Sequence, residues 1–83
     1  MGARRGTFVE MVCSGGEFNA LRDRLPRATR RIVPRAMAGD IGVIVQAVGP
    51  DDRPLSTRYA CVRAGDDPRP TIDRLKAGIG EAL

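Results

Sequence analysis

Six arginines cluster in one stretch of this 83-residue chain, and they are its strongest chemical feature. The stretch runs from residue 22 to residue 35. It contains a single acidic residue, Asp23, so its local charge is +5. The six are Arg22, Arg24, Arg27, Arg30, Arg31 and Arg35. Because guanidinium groups bind phosphate and carboxylate oxygens through paired hydrogen bonds, the stretch is a candidate contact surface for nucleic acid or for an acidic protein.

Two interpretations of these arginines stay open. All but one of the 14 basic residues in the chain are arginine, as expected for a GC-rich genome, so the ratio to lysine needs no functional cause. Such a bias does not explain why six of the arginines fall within one stretch. That stretch is either a binding surface or a helix face that simply contacts solvent. No aromatic residue lies among them, which argues against single-stranded nucleic-acid binding by base stacking.

Catalysis is not predicted. The chain has no histidine, which excludes serine–histidine and cysteine–histidine catalysis as well as imidazole zinc sites. Gly15 and Gly16 stand between a predicted strand and a predicted helix, but no phosphate-loop or dinucleotide-binding pattern accompanies them. We therefore expect a protein that is not an enzyme, with no cofactor, no metal and no small-molecule substrate.

The paired aspartates and the two cysteines are interpreted as structural residues and not as catalytic ones. The pairs at 51–52 and 66–67 are aspartates in predicted loops, and their spacing matches no calcium-binding loop. Cys13 and Cys61 form no C-x-x-C motif and lie in apolar surroundings. We expect two buried thiols in preference to a disulfide, and the sequence leaves open whether they are neighbours.

The residues before the arginine stretch predict a strand and then a helix. Thr7 to Cys13 is rich in strand-forming residues. Ser14 and Glu17 match a capping box, which opens a helix. That helix would bury three apolar residues spaced three and four apart: Phe18, Leu21 and Leu25.

A second amphipathic helix is predicted from Pro26, with the arginines largely on its exposed side. Pro34 should kink or restart this helix, because proline lacks the amide hydrogen and clashes with the preceding turn. Gly39 is a predicted C-cap. The expected apolar face consists of Ala28, Ile32, Val33, Ala36 and Met37.

Residues 41–48 are ambiguous. Their β-branched residues favour a strand that is buried on both faces. Helical spacing of apolar residues is also present, so one long helix from Pro26 to Val48 is the alternative. Gly39 and Gly42 would each cost such a helix about 1 kcal/mol relative to alanine. We therefore predict a strand.

The remaining residues predict a hairpin and a closing helix. Turn-forming residues at 49–54 join the strand at 41–48 to a second strand at 55–63, which makes 41–63 an antiparallel hairpin. Asp67 is a predicted N-cap. The helix after it would bury Ile72, Leu75, Ile79 and Leu83. The prediction is a single α+β domain over 1–83, with the order strand, one or two helices, strand, strand, helix.

Residues 12–52 resemble the tail-completion, or neck, proteins of long-tailed phages. The resemblance lies in an opening strand, a leucine-patterned helix ending at Leu25-Pro26, a basic amphipathic helix to Met37, and a Pro50-x-Asp52 segment. It implies a ring-forming virion subunit at the head–tail junction and a helix over 41–48. The chain departs from the family pattern at Arg53-Pro54, where Thr-Gly is expected, and at Pro34.

Three non-enzymatic functions follow from these observations. The first is a protein-interaction or assembly subunit, such as a phage structural or accessory protein, with a protein partner or a homo-oligomer as its context. The second is a nucleic-acid-binding module that uses the arginine stretch. The third is a small regulator or inhibitor of another protein. No secretion signal is visible, and the longest central uncharged run spans about half a membrane, so we expect a cytoplasmic protein, or a virion protein if it belongs to a phage, with no membrane contact.

Overall fold

The computed structural model describes residues 7–82. These residues form three helices and one antiparallel sheet of three strands. The architecture is α+β, in the order predicted from the sequence. The elements are β1 (Thr7–Ser14), α1 (Gly15–Asp23), α2 (Arg27–Arg30), β2 (Ile41–Val48), β3 (Pro54–Val62) and α3 (Arg69–Ala82).

The sheet has the strand order β1-β2-β3, so β2 is central and the other two strands are its edges. Both pairings are antiparallel. The register brings edge residues together in rows across β2. Glu10 of β1 and Arg58 of β3 both pair with Val45, and Cys13 and Cys61 both pair with Gly42.

The strand prediction for residues 41–48 is confirmed. Val43 and Val45 are fully buried on one face of the sheet, while Ile44 packs into a separate core on the other. A strand covered on both faces needs apolar residues in consecutive positions, which explains the continuous β-branched run. The helix over these residues that the phage resemblance implies is not present.

Helix α3 covers one face of the sheet. Its fully buried Ile79 and its nearly buried Ile72 pack against Val43 and Val45, and Leu75 is partly buried beside them. This agrees with the predicted apolar face, of which Leu83 lies outside the described residues. Asp67 precedes the helix and accepts a hydrogen bond from the backbone N–H of Arg69 at 3.0 Å.

Helix α1 covers the opposite face, where Phe18 is its buried anchor. The predicted capping box is formed: the Ser14 hydroxyl accepts a hydrogen bond from the Glu17 backbone N–H at 3.1 Å. The prediction for Leu21 is wrong, because that side chain is 39% exposed. The helix ends at Asp23, so its apolar face is one turn shorter than the spacing indicated.

The second helix, predicted from Pro26 with its C-cap at Gly39, is much shorter than predicted. Only Arg27–Arg30 is helical, and an irregular segment runs from there to β2. Val33 and Ala36 of that segment are buried beneath α1, whereas Ile32 and Met37, predicted for the same apolar face, are 82% and 71% exposed. Proline at 34 cannot donate a helical hydrogen bond and disfavours helical backbone in the residue before it. Gly39 has a φ of +84°, but it lies in a turn before β2 and not at a helix end.

The predicted hairpin is confirmed by the β2–β3 pairing. Its turn is closed by a hydrogen bond from the Gly49 N–H to the Arg53 carbonyl at 2.8 Å. Asp52 adopts a positive φ of 64°, which aspartate tolerates better than most side chains. A register irregularity at Ala47/Val48 leaves Val48 paired with Pro54 at the end of the ladder.

Candidate functional site

Three of the six candidate arginines bind other groups of the chain through their guanidinium groups. Arg22 is partly buried, and its Nε and Nη2 donate to the carbonyls of Val33 and Arg30 at 3.0 and 3.2 Å. Arg30 donates to the Asp23 carbonyl at 3.2 Å, and Arg35 forms an ion pair with the Asp23 carboxylate at 3.3 Å. These guanidinium groups hold the irregular segment against α1, which is a structural role.

Arg24, Arg27 and Arg31 remain as exposed cations. Within residues 7–82, none of the three forms a side-chain hydrogen bond or an ion pair. They lie on the end of α1 and around the four-residue α2, and not along one face of a long helix. The arginine stretch is therefore smaller as a binding surface than its sequence indicates.

The two cysteines are partly buried and not fully buried as predicted, and they lie in one row of the sheet without being bonded. They occupy the same row on either side of Gly42, and two strand spacings separate their Cα atoms by about 9.5 Å. A disulfide needs Cα atoms within about 7 Å, and both thiols are free. Burial raises the pKa of the Cys13 and Cys61 thiols, with smaller contributions from the Glu17 and Asp40 carboxylates respectively.

An open groove of about 550 Å³ lies at the start of α1, between Gly15 and the segment before β2. Its polar side chains, those of Ser14, Asn19 and Asp40, already have hydrogen-bond partners within the fold. The Asn19 amide donates to the Ala36 carbonyl at 3.0 Å and accepts from the Ala36 N–H at 2.9 Å, and the capping box occupies the helix terminus. Across the described residues, no group of three or more acidic or thiol side chains is placed to hold a metal ion.

The feature that sequence reasoning missed is the outer edge of β1. Four large apolar side chains of this strand are about half exposed: Phe8 at 39%, Val9 at 52%, Met11 at 46% and Val12 at 49%. Among residues 7–82, β1 pairs only with β2, so its outer backbone N–H and C=O groups have no neighbouring strand. The sequence did contain a partial signal: apolar residues occupy both alternating sets of β1, a pattern typical of a strand covered on both faces, whereas these side chains are half exposed.

The side chains of β1 point alternately to the two faces. Phe8 and Val12 lie on the face that α3 covers, and Val9 and Met11 lie on the face of α1, so each face is incompletely covered at this edge. The only charged residue in β1 is Glu10, whose carboxylate forms an ion pair with Lys76 of α3. The Lys76 ammonium also lies 5.7 Å from the centre of the Phe8 ring. The charge of the edge is thus balanced within the chain.

Comparison of the chain with protein-family models, with curated proteins and with solved structures gives no match. None of the described helices combines the length and the apolar character needed to span a bilayer.

Proposed function

We propose that this protein is a non-catalytic protein-interaction subunit that binds its partner by strand addition at the outer edge of β1. The observation that carries this proposal is the regular eight-residue edge strand with apolar, half-exposed side chains on both faces. In strand addition, backbone hydrogen bonds supply affinity and side chains on alternating positions supply specificity. A free apolar edge is a template for that kind of pairing.

The other edge of the sheet supports the assignment by contrast. β3 begins with Pro54, and Arg58 adds a charge that no acidic side chain of the described residues neutralises. Proline and unpaired charge are the usual means by which proteins keep an edge strand from pairing. β1 has neither, because Glu10 is already paired with Lys76. We infer that β1 is the edge kept open for binding.

Nucleic-acid binding is the less well supported alternative. Arg22, Arg30 and Arg35 are bound to carbonyl or carboxylate groups of the chain, which leaves three of the six predicted phosphate contacts. The phage assembly role stays a prediction. The strand at 41–48 differs from the helix that the phage resemblance implies for these residues. We propose a cytoplasmic location, where reducing conditions would protect the two thiols from oxidation.

A random peptide library tests the proposal. The protein is immobilised sparsely, so that copies cannot meet, and bound peptides are compared between a β1 variant and a β3 variant. Val9→Lys and Leu55→Lys are a matched pair, because the two side chains are 52% and 54% exposed. We expect extended, apolar peptides whose binding falls at least tenfold in Val9→Lys and persists in Leu55→Lys. A library without binders, or binders indifferent to Val9→Lys, would overturn the proposal.

A further inference from the structure

We propose that the strand added to β1 is the β1 strand of a second copy of this chain, paired antiparallel about Met11 to give one continuous six-stranded sheet. The inference rests on the proposed function and names its partner. Because an antiparallel pair of identical strands is related by a two-fold axis, the same surface serves both copies and the assembly closes as a dimer.

Symmetry restricts the register of such a pair. A two-fold axis that makes neighbouring strands antiparallel runs perpendicular to the sheet, so the α3 face of one copy continues into the α3 face of the other. Directly opposed side chains point to the same face. Each residue must therefore oppose one from the same alternating set, and the axis must pass through a residue and not between two residues.

Two such registers overlap β1 over seven residues, and charge decides between them. With the axis at Glu10, the two carboxylates lie directly opposite each other, and like charges in that position destabilise a sheet. With the axis at Met11, Glu10 opposes Val12 of the second copy. Val9 then opposes the second copy's Cys13, and Met11 opposes itself, so the α1 face of the new strand pair is entirely apolar.

A second copy fits the chemistry of this edge. The incoming strand must be apolar on both faces, because β1 has half-exposed apolar side chains on both. It needs no basic residue opposite Glu10, whose carboxylate is paired with Lys76. A second β1 strand meets both conditions, and its length of about 26 Å equals that of the edge it would cover. The pairing would satisfy the outer backbone groups and extend both cores of a small domain that has little core of its own.

Sedimentation equilibrium tests the pairing. We expect a dimer for the wild type and for Leu55→Lys, and a dissociation constant at least tenfold higher for Val9→Lys. Lysine at 9 would bring a charge into the apolar row opposite Cys13 of the second copy. A wild-type chain that stays monomeric at millimolar concentration would overturn the inference, as would a dimer that resists Val9→Lys.

Cross-linking tests the register. In a background with Cys13→Ser and Cys61→Ser, we expect Met11→Cys to form a disulfide-linked dimer under mild oxidation. Opposed residues in an antiparallel pair have Cα atoms about 4.5–5.5 Å apart, within disulfide reach. Val9→Cys in the same background is the control, because the two copies of residue 9 would lie four residues apart along the strand. A linked Val9→Cys dimer without a linked Met11→Cys dimer would contradict the register.

The two proposals fail separately. A chain that stays monomeric yet binds extended peptides through β1 would refute the second copy and retain strand addition. A dimer that is unaffected by Val9→Lys, together with peptide binding that is also unaffected, would refute both.

Discussion

The two edge strands of the sheet, β1 and β3, both have unpaired outer backbone groups but differ in the side chains beside them. Each pairs with β2 on one side and leaves backbone groups open on the other. Along the row of Ala47, Phe8 of β1 stands where β3 has Ser56; along the row of Gln46, Val9 stands where β3 has Thr57. In these two rows the β1 residue is apolar and the β3 residue is polar.

Charge follows the same division. Glu10 and Arg58 flank Val45 in one row, but Glu10 is paired with Lys76 while Arg58 has no acidic partner among the described residues. The Arg58 charge and the proline at the start of β3 oppose pairing at that edge. Exposure alone therefore does not identify a binding edge. What distinguishes β1 is the absence of features that block pairing.

The largest predicted effect falls on the strand that both edges share. Gly42 lies directly under the Phe18 ring, and a Cβ at this position would overlap three atoms of Phe18. Since Phe18 is 1% exposed and cannot move aside, we expect Gly42→Ala to lower the free energy of unfolding by about 3 kcal/mol. Urea denaturation measures the loss, and hydrogen exchange should report weaker protection in β1 and β3 alike.

Gly78→Ala is the matched control for that substitution. Gly78 lies within α3, and nothing stands within 4 Å of the position of an added Cβ. Alanine there should raise stability by about 0.5–1 kcal/mol through helix propensity. Equal stabilities of the two variants, or loss of protection in β1 alone, would show that Gly42 does not join the two edges as described.

The next prediction concerns the charges on the two edges. Glu10→Gln removes the ion pair with Lys76, so we expect a loss of about 0.5 kcal/mol at low salt, because both side chains are partly exposed. Screening should abolish the loss at about 1 M salt. Arg58→Gln should change stability little at either salt concentration. Urea denaturation of monomeric protein measures both, and a larger effect for Arg58→Gln would reverse the proposed difference between the edges.

Most of the fold was predictable because its patterns are local. The capping box at Ser14 and Glu17, the β-branched run of β2, the turn at 49–53 and the apolar spacing of α3 each identify one element. The arginine helix was mispredicted for a local and a tertiary reason. Pro34 has no N–H to donate to the Arg30 carbonyl, and the Arg22 side chain donates to that carbonyl and to the carbonyl of Val33 instead.

The candidate site was less predictable than the fold. Six arginines looked like one surface, but sequence spacing does not reveal which guanidinium groups the chain uses internally. The strand at the N-terminal end was predicted, yet its place in the sheet was not. That place depends on the order β1-β2-β3, which is set by pairing between distant segments and not by any local pattern.

The smallest predicted effect concerns the row in which both edges carry a cysteine. Cys13 and Cys61 flank Gly42, and burial is the main cause that raises the pKa of each thiol. The folded chain therefore keeps both thiol protons at a pH where the unfolded chain releases them. The thiols contribute fully to stability below the unfolded pKa of about 8.5, and the contribution is lost as the pH rises through the higher folded pKa values.

Urea denaturation between pH 7 and pH 10 tests this effect. The free energy of unfolding should fall more steeply with pH for the wild type than for the variant with Cys13→Ser and Cys61→Ser, since all other titrating groups are common to both. Parallel slopes would mean that the thiols ionise as easily in the folded sheet as in the unfolded chain.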